Sequence, residues 1–382
     1  MKTWFCVLLL SVLFFRIRHP AKQIIFKPNL PAAHFAYGDA TSSCSIETSG
    51  PEFAFCEDAT VWPGTGNVLV SCDAGRKEWN TVMGPLMNPE PHGSLWLVGA
   101  KDAPQRVHIH NYPPKHDFHP LGIAVSDVQP DNDASNLFVV NHARQRSYIE
   151  HFSISLASGV PIATHIQTLS SRAFIAPNAL ALTSPTSFYV SNDHLLTRRL
   201  PSPFAPLLPM LETLLGLPFG WVSHVSIGNT QKQTHSAPFI PFANGVSISP
   251  SGTTLAVAAT SLSVVYIYTR DPTTNVLSAP RTVRVPFHPD NLEYDASGTL
   301  VVAGHAHFPS LIKVKADTHS SAGVKAPSWV VAINPESFEV TTLFQSNGSA
   351  FSTSSTALRL DNVLYLTGLY EDGVMLCRIP SS

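Results

Sequence analysis

A phrase that recurs six times along the chain constrains its fold more than any other feature. Its clearest copy opens at Asp290. Apolar positions follow at Leu292 and Tyr294, a turn at Ala296-Ser297-Gly298 reverses direction, and Leu300-Val301-Val302 runs back. Period-two apolar spacing around a Gly-containing turn marks a β-hairpin. The other copies open at Glu57 (then Ala59, Val61), Leu121 (Ile123, Val125), Asn178 (Leu180, Leu182), Asn244 (Val246, Ile248) and Thr356 (Leu358, Leu360), each with an apolar return strand. Further strand-like runs lie between copies at Ser94–Val98, Tyr148–Phe152, Val264–Tyr268 and Leu311–Val314. Units of about 45 to 65 residues suit four-stranded propeller blades. The pattern predicts an all-β, six-bladed β-propeller over residues 40–382. A sandwich, or two domains of ordinary hairpins, is the competing arrangement.

Two segments fall outside the β pattern. Pro206–Leu217 is apolar at helical spacing and ends at Gly216 and Pro218. It predicts a short apolar helix inserted between blades three and four, as a lid over the axis, a membrane-surface patch or a helix packed on the propeller face. The N-terminus carries Lys2, then an apolar block from Trp4 to Phe15, then Arg16 and Arg18. This hydrophobic leader reads as a signal peptide or signal-anchor over residues 1–20, too short for the roughly 20 apolar residues of a spanning helix. It predicts the secretory route, with the product secreted or held at a membrane surface through the leader and the 206–217 helix.

Composition narrows the classes. Hydrophobic residues make up 44% of the 382 and charged residues 13%, which favours a large core over disorder. The net charge of -2 comes without a basic run of the kind that binds nucleic acid. Cys6 lies in the leader; Cys44, Cys56, Cys72 and Cys377 are even in number and suit an oxidising compartment. Three pairings are open. Asn347-Gly348-Ser349 is a glycosylation acceptor motif.

Blades are related by rotation, so the first position of each repeat should face a common axis. Those positions are Glu57, Leu121, Asn178, Asn244, Asp290 and Thr356, with Asp58 and Asn291 one residue further on. Five of the six carry oxygen, and none is Cys or His. Converging carboxylate and amide oxygens suit a hard divalent cation, Ca²⁺ first. A second set lies where return strands finish: Asn141-His142, Asn192-Asp193-His194 and His305. Histidines beside a cation suggest hydrolysis, the imidazole activating water.

Cys56-Glu57-Asp58, Leu121-Gly122-Ile123, Val139-Val140-Asn141-His142, Pro177-Asn178, Ser191-Asn192-Asp193-His194, Asn244–Pro250 and Asp290-Asn291 together resemble the serum paraoxonase/arylesterase family, in that order and spacing, over nearly the whole chain after the leader. The resemblance implies a calcium-dependent hydrolase of small-molecule esters and lactones on a six-bladed propeller with two axial ions. It implies a catalytic calcium held by Glu57, Asn178, Asn244, Asp290 and Asn291, a structural calcium at Asp58 and the Ile123 carbonyl, His142 as catalytic residue, and a Cys44–Cys377 disulfide. Two departures stand out. Ala179 replaces an Asp of the structural site, so one ion is expected and the second is in doubt. Leu121 replaces a catalytic His, with His119 nearby as a substitute. Cys56 and Cys72 flank one hairpin and form a candidate second disulfide. A gluconolactonase-like hydrolase with one metal, and a non-catalytic calcium-stabilised binding propeller, are the alternatives.

Overall fold

In the computed structural model, residues 2–129, 133–172, 174–228, 232–317 and 323–380 are described. The six repeats become the two innermost strands of six sheets, antiparallel except where His108–His110 pairs parallel at the outer edge of blade two. The innermost strands are Cys56–Trp62, Pro120–Val125, Pro177–Ser184, Ala243–Ile248, His288–Tyr294 and Ser354–Leu360. Each touches the next, and the last touches the first, so they close into a ring. The alternating apolar residues of neighbouring blades meet face to face. Val70, Trp96, Leu358, Tyr365 and Leu376, for instance, form one core cluster between blades one and six. A six-bladed β-propeller results, and the sandwich alternative is excluded.

The chain's two ends close the ring. The strand Cys44–Glu47 pairs antiparallel with Val374–Arg378 and supplies the outer strand of blade six. Cys44 sits opposite Cys377, and the two are disulfide-bonded. Cys56 and Cys72 form the second disulfide, across the first hairpin. Upstream of residue 40, His34–Phe35 pairs with the outer strand of blade five.

Each inner strand slips register at the same place: between Cys56 and Asp58, Pro120 and Ile123, Pro177 and Leu180, Ala243 and Val246, Pro289 and Leu292, and Ser354 and Ala357. A bulge breaks strict alternation and re-aims side chains. Every candidate axial residue lies within such an irregularity or at its edge. Close approach of the bulged backbones requires glycine at two of them. A Cβ on Gly122 would meet the Asn178 carbonyl oxygen at 2.2 Å, and one on Gly245 would meet Asn291 Cα at 2.6 Å.

Two expectations about helices need correction. The apolar helix spans Phe204–Leu214 and sits inside blade three, between its second and third strands, rather than between blades three and four. Leu311–Val314, read as a strand, belongs to a helix, Phe308–Ala316, inserted at the equivalent place in blade five. Its β-branched run is offset by Pro309 in the first turn and by Leu311 and Val314, three apart, which both face the core. Inner strands run away from their first positions and second strands return, so both insertions lie at the end of the ring that carries those positions.

Lys2–Ile25 is helical and rests on the same end, where the Ser263 hydroxyl donates to Gln23 Oε1 at 2.5 Å. Among the described residues, no helix is long and apolar enough to cross a membrane.

Candidate active site at the propeller axis

The bulged residues of four inner strands form one cluster. Asn291 Nδ2 donates to Glu57 Oε1 at 2.9 Å, and Asn244 Nδ2 donates to Asp290 Oδ1 at 2.6 Å. Asn178 Nδ2 donates to Asp193 Oδ2 at 3.1 Å. Each amide spends its N–H on a protein oxygen, and its own oxygen has no partner. Glu57 Oε2, Asn178 Oδ1, Asn244 Oδ1 and Asn291 Oδ1 are all buried and unpartnered. An unpaired buried acceptor costs about 1–3 kcal/mol, so four such groups need an explanation. A hard cation would satisfy them, and the donor set fits one. Burial, reinforced by Asp58 and Asp290, pushes the Glu57 carboxyl well above the ordinary range. A cation would reverse that. Among the described residues no group of three or more His, Cys, Asp or Glu could hold a metal; this set is two carboxylates and three amides.

Leu121 and Thr356 complete the ring differently. Leu121 is buried and lines the axial cavity as plain apolar wall. The Thr356 hydroxyl lies 2.9 Å from the Glu57 carbonyl and 3.0 Å from Asp58 Oδ1, sharing its proton between them.

Asp58 faces the other end of the inner strands, in a space shared with Ile123, Ala179 and Glu293. Its carboxylate is already satisfied. Oδ1 accepts from the Ala59 amide at 2.9 Å as well as from Thr356, and Oδ2 accepts from the Ile123 amide at 2.9 Å. Burial pushes this carboxyl up to about 6, against those three hydrogen bonds. Ile123 thus meets Asp58 through its N–H.

The structure does not bring His142 into the cavity. It is buried, with Nε2 2.6 Å from the Pro177 carbonyl and Nδ1 against the Thr81 hydroxyl. A carbonyl only accepts, so Nε2 carries the proton and Nδ1 receives one from Thr81; no lone pair remains for water. Burial also lowers its pKa to about 4. His119 likewise lies outside the cavity lining, paired with Asp73 at 2.8 Å and stacked on Trp79.

Two other histidines line the cavity, His194 and His305. His305 Nε2 lies 2.9 Å from Asp290 Oδ2. His194 Nδ1 lies 2.9 Å from Asp193 Oδ1, and Nε2 lies 2.7 Å from Thr213 Oγ1 on the blade-three helix. Asp193 therefore links His194 to Asn178 and holds the Nδ1–H tautomer, leaving Nε2 as the basic nitrogen. The sequence marked Asn192-Asp193-His194 and His305 at strand ends, but not the hydrogen bond by which Asp193 holds His194. A carboxylate directly before a histidine at a strand end was the available signal.

The cavity, about 70 Å³, is roofed by Met210 and Thr213 from one inserted helix and by Phe308 and Leu311 from the other. Arg76, also lining it, donates to the Phe55 and Pro120 carbonyls.

Fold and site together define a propeller with an oxygen-rich axial cluster under an apolar roof. The chain matches the Arylesterase family over residues 84–378 and belongs to that family. Human serum paraoxonase/arylesterase 2 is 24% identical over 94% of this chain and 92% of its own length. The dog protein of that name is 27% identical over 66% of this chain and 67% of its own length. Among solved structures, a luciferin-regenerating enzyme superposes with TM-score 0.53 (13% identity, 88% of this chain, 95% of that one). A Xanthomonas campestris gluconolactonase superposes with TM-score 0.52 (14% identity, 93% and 96%). These two likenesses are of fold.

Proposed function

We propose that this chain hydrolyses small-molecule esters or lactones with a single bound Ca²⁺. The observation that carries the proposal is the set of buried, partnerless oxygens on Glu57, Asn178, Asn244 and Asn291. Glu57, Asn178, Asn244, Asp290 and Asn291 would hold the ion, which when bound polarises a carbonyl oxygen and offsets its developing charge. His194 takes the proton from the attacking water at Nε2, in place of the role expected of His142. Asp193 orients the ring and stabilises the imidazolium that forms. Thr213 occupies Nε2 until water displaces it; its hydroxyl has a second acceptor in the Pro209 carbonyl at 3.0 Å. Leu121, Phe242 and Phe308 exclude bulk water and seat an apolar acyl or leaving group.

The internal satisfaction of Asp58 supports one ion rather than two. The two disulfides and the exposed Asn347 support a secretory-pathway location, with that asparagine as a glycosylation site. A non-catalytic, calcium-stabilised binding propeller is the second reading, favoured by the apolar Leu121 at a first position. Turnover of phenyl acetate and a lactone panel, with calcium and with chelator, separates the two. Calcium-dependent turnover supports the hydrolase. No turnover, with a melting temperature that still falls on chelation, selects the binding propeller.

A further inference from the structure

A second recess of about 560 Å³ opens beside the axial cavity and shares Met83 and Arg198 with it. Leu86 and Pro206 give it apolar walls, and Lys77, Lys315 and Arg198 give it three cations. Each cation bonds a main-chain carbonyl. Lys77 Nζ donates to Asp317 O at 2.7 Å, Lys315 Nζ to Met83 O at 3.0 Å and Arg198 to Pro206 O at 3.2 Å. Among the described residues, none of the three has a carboxylate within 4.0 Å.

Like charges are not normally gathered in a partly buried groove without an anion. Lys315 is disfavoured as a cation by burial and then by Arg198 itself. Arg198 Nε is buried without a partner, and its guanidinium lies beside Gly84. An ammonium has three donors and a guanidinium five, so most of the hydrogen-bonding capacity of the cluster is unspent.

We propose that this groove binds the carboxylate at the far end of a lipophilic substrate whose ester or lactone carbonyl enters the axial cavity. The substrate class is therefore acyl chains or lactones that end in a carboxylate. The inference rests on the hydrolase reading for the carbonyl end, and on the groove alone for the anionic end. Met83 and Arg198, common to both spaces, mark where the chain passes between them. A carboxylate held by Lys77, Lys315 and Arg198 makes charge-assisted hydrogen bonds, the strong class.

The test compares p-nitrophenyl half-esters of succinate, adipate and suberate with the same compounds capped as methyl esters. At least one half-ester should show a KM about tenfold below its capped partner, as loss of a charge-assisted bond implies. The double variant Lys77→Met/Lys315→Met keeps the aliphatic stems and should remove the preference while capped esters turn over as before. Lys77→Glu/Lys315→Glu should transfer the preference to choline-capped esters. Equal KM values for half-ester and capped ester, or a preference that survives both double variants, overturns the proposal. If no ester of either kind is cleaved, calorimetric binding of laurate decides. Binding to the parent chain that is lost in Lys77→Met/Lys315→Met upholds the groove. Absence of binding, or lysine-dependent capture by phosphatidylserine vesicles without laurate binding, overturns it.

Discussion

The two ends of the propeller axis are built from the same six strands yet solve the problem of buried oxygen in opposite ways. At the first-position end, Glu57, Asn178, Asn244 and Asn291 each leave an acceptor empty. At the other end, one residue along the same strand, Asp58 has its carboxylate capped by two amides and a hydroxyl. The first end keeps four buried acceptors to offer an outside charge. The second is complete. A bulge one residue long is enough to separate a site that waits for a ligand from one that does not.

The largest effect that could break this comparison is on activity. Glu57→Gln or Asp290→Asn should lower phenyl acetate turnover about a hundredfold or more, since each removes charge where the reacting carbonyl binds. Unchanged turnover would sink the cation assignment. Next, Asp193→Asn should lower kcat by about a hundredfold to ten-thousandfold with little change in KM, as expected when a base loses its orienting carboxylate. His142→Gln should cost far less in kcat, and the reverse order would return the role of base to His142.

Calcium should also act asymmetrically with pH. A carboxyl whose folded pKa is raised favours the apo fold below its unfolded pKa, and that stability is lost as pH rises through the folded value. Glu57 is raised well above 4.5. The calcium-free protein should therefore lose melting temperature on going from acid toward neutral pH. The shift produced by calcium should grow over the same range, since binding displaces a proton. A calcium-induced shift independent of pH would contradict the assignment.

Two smaller effects sharpen the contrast. Metal analysis should find one calcium per chain, and Ala179→Asp should raise this toward two by restoring a carboxylate beside Asp58. Thr356→Val should cost about 1–3 kcal/mol by uncapping Asp58, with calcium present or absent, read from denaturant melts.

The hairpins were legible because alternating apolar residues and Gly turns report directly on strands, and six of them in register imply a ring. The axial cluster was legible for the same reason, since rotation carries equivalent positions to one centre. The bulges were not. They depend on how neighbouring backbones meet at Gly122 and Gly245, which no single strand encodes. That is also why Asp290 and Asn291, adjacent in sequence, can both serve the interior. The run Leu311–Val314 misled because its β-branched residues fit either a strand or a helix; Pro309 in the first turn favours the helix. The strand-end motif of His142 does not record that the side chain is buried between Thr81 and the Pro177 carbonyl, outside the cavity lining. Asp193 and His194 likewise needed the fold to show that the two are hydrogen-bonded.

The strand Cys44–Glu47 carries a consequence of a different kind. It is made early in synthesis, and its hydrogen-bonding partner, Val374–Arg378, follows much later, with 333 residues separating the bonded Cys44 and Cys377. Throughout elongation this edge has no neighbour, and blade six cannot be finished. The propeller therefore cannot seal blade by blade as it emerges. Its ring, and the axial oxygens that need all six strands in place, are completed only after Val374–Arg378 is made and meets Cys44–Glu47.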